Sequence, residues 1–134
     1  MLLLKTNILT MRVKIDTKEA FHVISIEESA LTANMAVELG SVITKKQQED
    51  PKSLIINLFS VAEIDAAIAK KIKEIHQQTY DEKKSFVLCG LTPRVKEQFG
   101  ELGLLVVLNH TPTESEAWDI VLMEEIEREL DVDL

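Results

Sequence analysis

Apolar and polar positions alternate over Met11–Asp16 (MRVKID) and again over Phe21–Ile26 (FHVISI), the period of a half-buried strand. The polar turn at Thr17–Glu19 joins them into a predicted edge hairpin. From Leu31 to Lys46 the period changes: Leu31, Met35, Leu39 and Val42 fall on one side of an amphipathic helix. Asp50-Pro51 then breaks the chain. Three later runs, Ser53–Phe59 (SLIINLF), Ser85–Gly90 (SFVLCG) and Leu104–Leu108 (LLVVL), are almost continuously apolar. Strands of this kind need cover on both faces, as in a parallel sheet flanked by helices.

Helical segments separate these runs. Ile68, Ile72, Ile75 and Thr79 make one buried stripe, with Lys70, Lys71, Lys73 and Gln77 turned outward. Thr92-Pro93 reads as an N-cap followed by an N1 proline, opening a short helix through Phe99. Thr111-Pro112-Thr113-Glu114 repeats the device, with Glu114 as the N3 member of a capping box for the last helix. Gly100 and Gly103 mark the turn into the final strand. The order is β-β-α-β-α-β-α-β-α, a single α/β domain with a mixed, mostly parallel sheet and about four helices. In the last helix Trp118, Leu122, Met123, Ile126 and Leu130 form a wide apolar arc, with Ala117 and Val121 on another side. One sheet face rarely takes both, so Trp118, Leu122, Met123 and Ile126 are candidates for a homodimer or partner interface as well as for core packing.

Length and composition agree with one globular domain: 134 residues, 46% hydrophobic and 28% charged. No apolar run approaches the roughly 20 residues of a membrane helix. The opening MLLLKTNIL lacks the length and the small-residue cleavage site of a secretory signal. It reads as an extension, residues 1–10, before a domain of residues 11–130 and an acidic tail, 131–134, with Met11 as the alternative start. A lone cysteine, Cys89, suits a reducing cytoplasm. The net charge of −8 is localised: from Glu114 to Leu134 there are nine acids against one base, Arg128. That placement argues against nucleic acid, which requires a basic footprint.

Residues 54–69, LIINLFSVAEIDAAIA, hold the most suggestive junction. A strand leads through a loop to Asp65, which opens a helix, and helix N-termini attract anions. Yet Ala66, Ala67 and Ile68 follow, and none has a side chain able to hydrogen-bond or carry phosphate. Asp65 itself is accounted for by N-capping. His22, His76 and His110 are scattered over separate elements without metal-ligand spacing, so no metal or other cofactor is expected. Cys89 reads as an apolar filler in a buried strand. No glycine-rich phosphate loop, nucleophile elbow or carboxylate pair is present, so catalysis has no residue-level support.

With that order of elements, LIINLFSVAEID resembles the strand and switch loop of the STAS family, the bacterial anti-sigma factor antagonists and their relatives. Asn57-Leu58 and Ile64-Asp65 carry the match. Phe86–Leu104 (FVLCGLTPRVKEQFGELGL) is similar to the family's following strand, short helix and Leu-Gly-Leu turn. The resemblance implies a phosphoacceptor serine directly after the motif aspartate, which here is Ala66. The second motif serine is Ala67 and the motif glycine Ile68. The earlier Gly-x-Leu-Asp loop is replaced by Ser29-Ala30-Leu31-Thr32. Thr32 and Ser60 are the hydroxyls left near the switch.

The resemblance implies a non-enzymatic, cytoplasmic protein–protein interaction module in bacterial signalling, not switched by phosphate at position 66. Its partner would be a kinase-type anti-sigma factor or another STAS protein, meeting Asp65–Ile68, Thr32 and the lysines Lys70 and Lys71. The alternative is a sensor domain holding a nucleotide or an apolar ligand at the same helix N-terminus.

Overall fold

The computed structural model describes residues 11–132; the segment 1–10 and the last two residues lie outside the described residues. The strands are β1 (Val13–Thr17), β2 (Phe21–Ile26), β3 (Ala30–Leu31), β4 (Ser53–Asn57), β5 (Glu63–Ile64), β6 (Phe86–Cys89) and β7 (His110–Thr111). The helices are α1 (Met35–Glu49), α2 (Ala66–Asp81), α3 (Pro93–Glu101) and α4 (Glu114–Val132). The main sheet runs β1-β2-β4-β6-β7, and β3 and β5 form a separate two-stranded ladder. Only β1 is antiparallel to its neighbour; β2, β4, β6 and β7 pair in parallel.

Register explains the continuous apolar runs. Val23, Ile55 and Val87 stand in one row across the sheet, and Ile24, Ile56 and Leu88 in the next. The first row meets Ala117 and Val121 of α4. The second meets Leu39 and Ile43 of α1, Ile68 and Ile72 of α2, and Val95 and Phe99 of α3. Successive residues such as Leu54, Ile55 and Ile56 are thus all at most 1% exposed. Each fully buried aliphatic side chain contributes about 1.5–3 kcal/mol relative to exposure.

Local expectations are corrected at several places. Leu104–Leu108 is not a strand, because α3 ends in a Schellman motif that its residues complete. Gly103, at φ +71, donates to the Gly100 carbonyl, and Leu104 to that of Phe99. The N–H groups of Val107 and Leu108 then close a further turn on the Leu104 carbonyl. Leu104 and Leu108 are buried while Val106 is 92% exposed, so the run is apolar without being a strand. The last strand is instead the two-residue β7, pairing His110 with Leu88 and Thr111 with Cys89.

The first helix begins at Met35, four residues later than its apolar period suggests, because Leu31 is taken into β3 opposite Ile64. Its buried residues are Ala36, Leu39 and Ile43, not Val42. The capping box of the last helix also shifts. Thr113, not Thr111, is the capping residue, and Glu116, not Glu114, is its partner. The N–H of Glu116 donates to Thr113 Oγ1 at 3.3 Å and the N–H of Thr113 to Glu116 Oε1 at 3.2 Å. Finally, Ala117 and Val121 are the residues of α4 buried on the sheet, while Leu122, Met123, Ile126 and Leu130 are 41–60% exposed. Asp131 and Val132, assigned by sequence to the tail, continue the helix.

Candidate functional site

The junction at Asp65 is built by the small β3–β5 ladder, which pairs Ala30 with Glu63 and Leu31 with Ile64. The loop after β3 and the start of α2 are thereby held side by side. The Asp65 N–H donates to the Leu31 carbonyl at 2.9 Å, and the Ala33 N–H donates to Asp65 Oδ2 at 2.7 Å. Asp65 has the extended backbone of an N-cap, φ −88 and ψ 158, and its carbonyl accepts from Ile68 and Ala69. Its carboxylate, however, makes no capping bond to the first turn of α2. The expected side-chain cap is therefore absent, and the carboxylate accepts instead from the Ala33 N–H of the facing loop. The helix end keeps its anion-attracting character.

On the other side of β5, the side-chain amide of Gln98 takes the place of a neighbouring strand. Ile64 N–H donates to Gln98 Oε1, and Gln98 Nε2 donates to the Ile64 carbonyl, both at 2.9 Å. A cavity of about 130 Å³ lies here, lined by Ile64, Asp65, Ala66, Gln98, Glu101 and Leu102.

The residues singled out by sequence divide by position. Thr32, Asp65 and Ala66 are exposed together on this face, and Ala67 is half-buried. The Thr32 hydroxyl donates to Asn34 Oδ1. Ile68 is fully buried at 0% exposure and belongs to the core rather than to any contact surface. Lys70 points outward, whereas Lys71 is half-buried, pairs with Glu74 at 3.3 Å and lies over Gly40 of α1. Ser60 is exposed in the loop after β4.

The same loop carries Phe59, the last residue of the apolar run that predicts a strand over Ser53–Phe59, whereas β4 ends at Asn57. It is 75% exposed. Its N–H is tied to Asn57 Oδ1 at 2.9 Å, while Asn57 Nδ2 donates to Glu114 at the start of α4. Gly90, at φ +72, packs directly beneath: a Cβ there would stand 3.2 Å from both the Phe59 nitrogen and Asn57 Oδ1. The signal in the sequence was Asn57 followed by a single buried leucine, the end of a strand rather than its middle.

Trp118 is not part of this face. It lies across the sheet, half-buried, with its ring edge-on to Phe21 at 5.2 Å and Lys18 Nζ 5.4 Å from the ring centroid. Its Nε1 donates to Glu114 Oε2 at 3.1 Å. Cys89 is buried, and burial, with the nearby Glu114 adding to it, pushes its thiol up to about 12. Such a thiol is a poor nucleophile at neutral pH. His22 is buried between the Thr17 hydroxyl at 2.9 Å and the Asp50 carbonyl at 2.7 Å, a structural role. Among the described residues, no helix is long and apolar enough to cross a membrane.

Comparison with known proteins fits this architecture. The STAS domain model matches residues 12–117. A variant of RsbS from Moorella thermoacetica is 21% identical with a TM-score of 0.70, covering 87% of this chain and 98% of its own. An anti-sigma factor antagonist from Mycobacterium paratuberculosis is 18% identical with a TM-score of 0.70, the covered shares being 85% and 96%. The anti-sigma factor antagonist SpoIIAA in its unphosphorylated form is 17% identical with a TM-score of 0.69, the shares being 82% and 96%. No curated protein sequence matches the chain. At these identities the solved structures speak for the fold, and the family model covers most of the chain: this protein belongs to the STAS domain family.

Proposed function

We propose that this protein is a non-catalytic STAS-type interaction module in bacterial signalling, one that position 66 cannot switch by phosphorylation. The observation that carries this reading is the Asp65–Ala33 bond, which joins the loop of Thr32 to the N-terminus of α2 as one exposed surface. Ala66 stands at its centre, with no hydroxyl to accept phosphate. Thr32, Asp65, Ala66, Ala67 and Lys70 form the contact face, with Lys71 at its border. The partner is a protein, either a kinase-type anti-sigma factor or another STAS protein, and the chain acts as a constitutive binder, decoy or scaffold. The free, buried Cys89 suits a cytoplasmic setting. The exposed residues of α4 make a second contact face, for another copy or another protein.

The cavity beside Asp65 also favours a partner surface over a sensor site. Small-molecule sites usually occupy about 300–1,000 Å³, against about 130 Å³ here.

The test is phosphorylation by a kinase-type anti-sigma factor with ATP. Both the parent and the Ala66→Ser variant should bind the kinase, and only the variant should gain phosphate at position 66. If neither bound the kinase, the kinase-type partner would be removed and only another STAS protein would be left as the partner. Phosphate on the parent at Thr32 or Ser60 would replace the constitutive binder with a displaced switch.

A further inference from the structure

The α4 helix divides its chemistry between two sides. Inward, beyond Ala117 and Val121, it presents polar groups. Glu124 accepts from the Ser85 hydroxyl at 2.6 Å, Glu125 accepts from Ser53 at 2.8 Å, and Arg128 donates to Ser85 and pairs with Glu125 at 3.1 Å. Outward, Met123, Ile126 and Leu130 follow one another at the 3–4 spacing of a helix-pairing seam, with Leu122 beside them. These four are 41%, 57%, 56% and 60% exposed in chain order from Leu122 to Leu130. Asp119, Glu127, Glu129 and Asp131 are exposed on the same helix. Its single base is turned inward, so no cation of α4 offsets this rim.

We infer that the outer face of α4 docks a basic amphipathic helix of a partner protein, one with leucine-like residues on its seam and Lys or Arg flanking it. Charge decides between the occupants. A second copy docking seam to seam would set Glu127 and Glu129 against the same acids, and like charges across a helix seam oppose pairing. An anionic membrane would be repelled by the same rim. A basic helix buries the apolar stripe and pairs with the rim at once. The face lies on the opposite side of the sheet from Asp65, so both faces can be occupied together. This inference rests on α4 being a contact face and not on the reading of Asp65.

The experiment uses the full chain and two labelled synthetic helical peptides about three heptads long, identical in their leucine seam but flanked by Lys in one and Glu in the other. Fluorescence anisotropy at low salt should show the Lys-flanked peptide bound at least tenfold more tightly, with the difference narrowing as salt rises. Ile126→Lys should weaken that binding at least tenfold. Glu127→Lys combined with Glu129→Lys should reverse the preference, and circular dichroism should show both variants folded. Equal binding of the two peptides, or binding of neither, overturns the inference. A dimer of the parent chain that Ile126→Lys dissociates would keep the contact face but assign it to a second copy. Binding seen only with Leu2→Ser, Leu3→Ser and Leu4→Ser in the full chain would assign the face to the chain's own first residues, overturning the basic partner.

Discussion

The Asp65 carboxylate accepts the N–H of Ala33 at 2.7 Å, across 32 residues of chain, and does not cap the helix that Asp65 begins. An aspartate at an N-cap position ordinarily satisfies its own first turn. Here it spends its acceptor on the neighbouring loop, so one side chain sets the shape of the candidate contact face. Asp65→Ala should cost about 1 kcal/mol in urea denaturation, and its specific mark is a loss of hydrogen-exchange protection at the Ala33 amide. Unchanged protection there would mean that the ladder alone holds the loop.

Gln98 closes the other edge of β5. Gln98→Ala leaves the backbone N–H and C=O of Ile64 without their side-chain partners, so it should cost about 1–3 kcal/mol. Gln98→Glu can still accept from Ile64 N–H but turns a second acceptor toward the carbonyl, and should fall between parent and alanine. Equal stability of all three in chemical denaturation would show that water replaces the amide.

Lys83 ends α2 in the left-handed region at φ 65. It completes a Schellman motif: its N–H donates to the Tyr80 carbonyl and that of Lys84 to Thr79. A lysine there carries a steric cost that glycine avoids. Lys83→Gly should therefore raise stability by about 0.5–1 kcal/mol, read as a higher urea midpoint with an unchanged slope.

His76 packs against Tyr80 at 4.9 Å and Phe86 at 5.4 Å, and its Nε2 is buried without a hydrogen-bond partner. Burial lowers its pKa below 6.5, against the opposing pull of Glu124. The folded state thus resists a proton that the unfolded state accepts. Stability should be full above about 6.5 and fall as the pH drops below it toward the folded pKa. His76→Gln should flatten the decline between about pH 7 and 5 in thermal or urea titrations. An equally steep decline in the variant would move its origin to other groups.

How much of this was legible beforehand depended on what each residue had to satisfy. Continuous apolar runs at Ser53–Phe59 and Ser85–Gly90 mark two-sided burial, and they form β4 and β6 as expected. The stripe Ile68, Ile72, Ile75 and Thr79 is buried as its period predicts. Leu104–Leu108 failed because a run of Leu and Val reports burial and not backbone path. There the path was decided by the bonds of Gly103 and Leu104 back to α3.

By itself, the sequence determined the α/β class, the mixed sheet and the place of the Asp65 junction, because two-sided burial, helical period and turn residues are local properties written in consecutive positions. Only the tertiary structure decided which atom Asp65 binds, that Gln98 stands in for a strand, that Phe59 is exposed, and which side of α4 faces water. Those outcomes follow from pairings between residues far apart in the chain, where several donors and several faces compete. Local pattern carries no information on which of them arrives first in space.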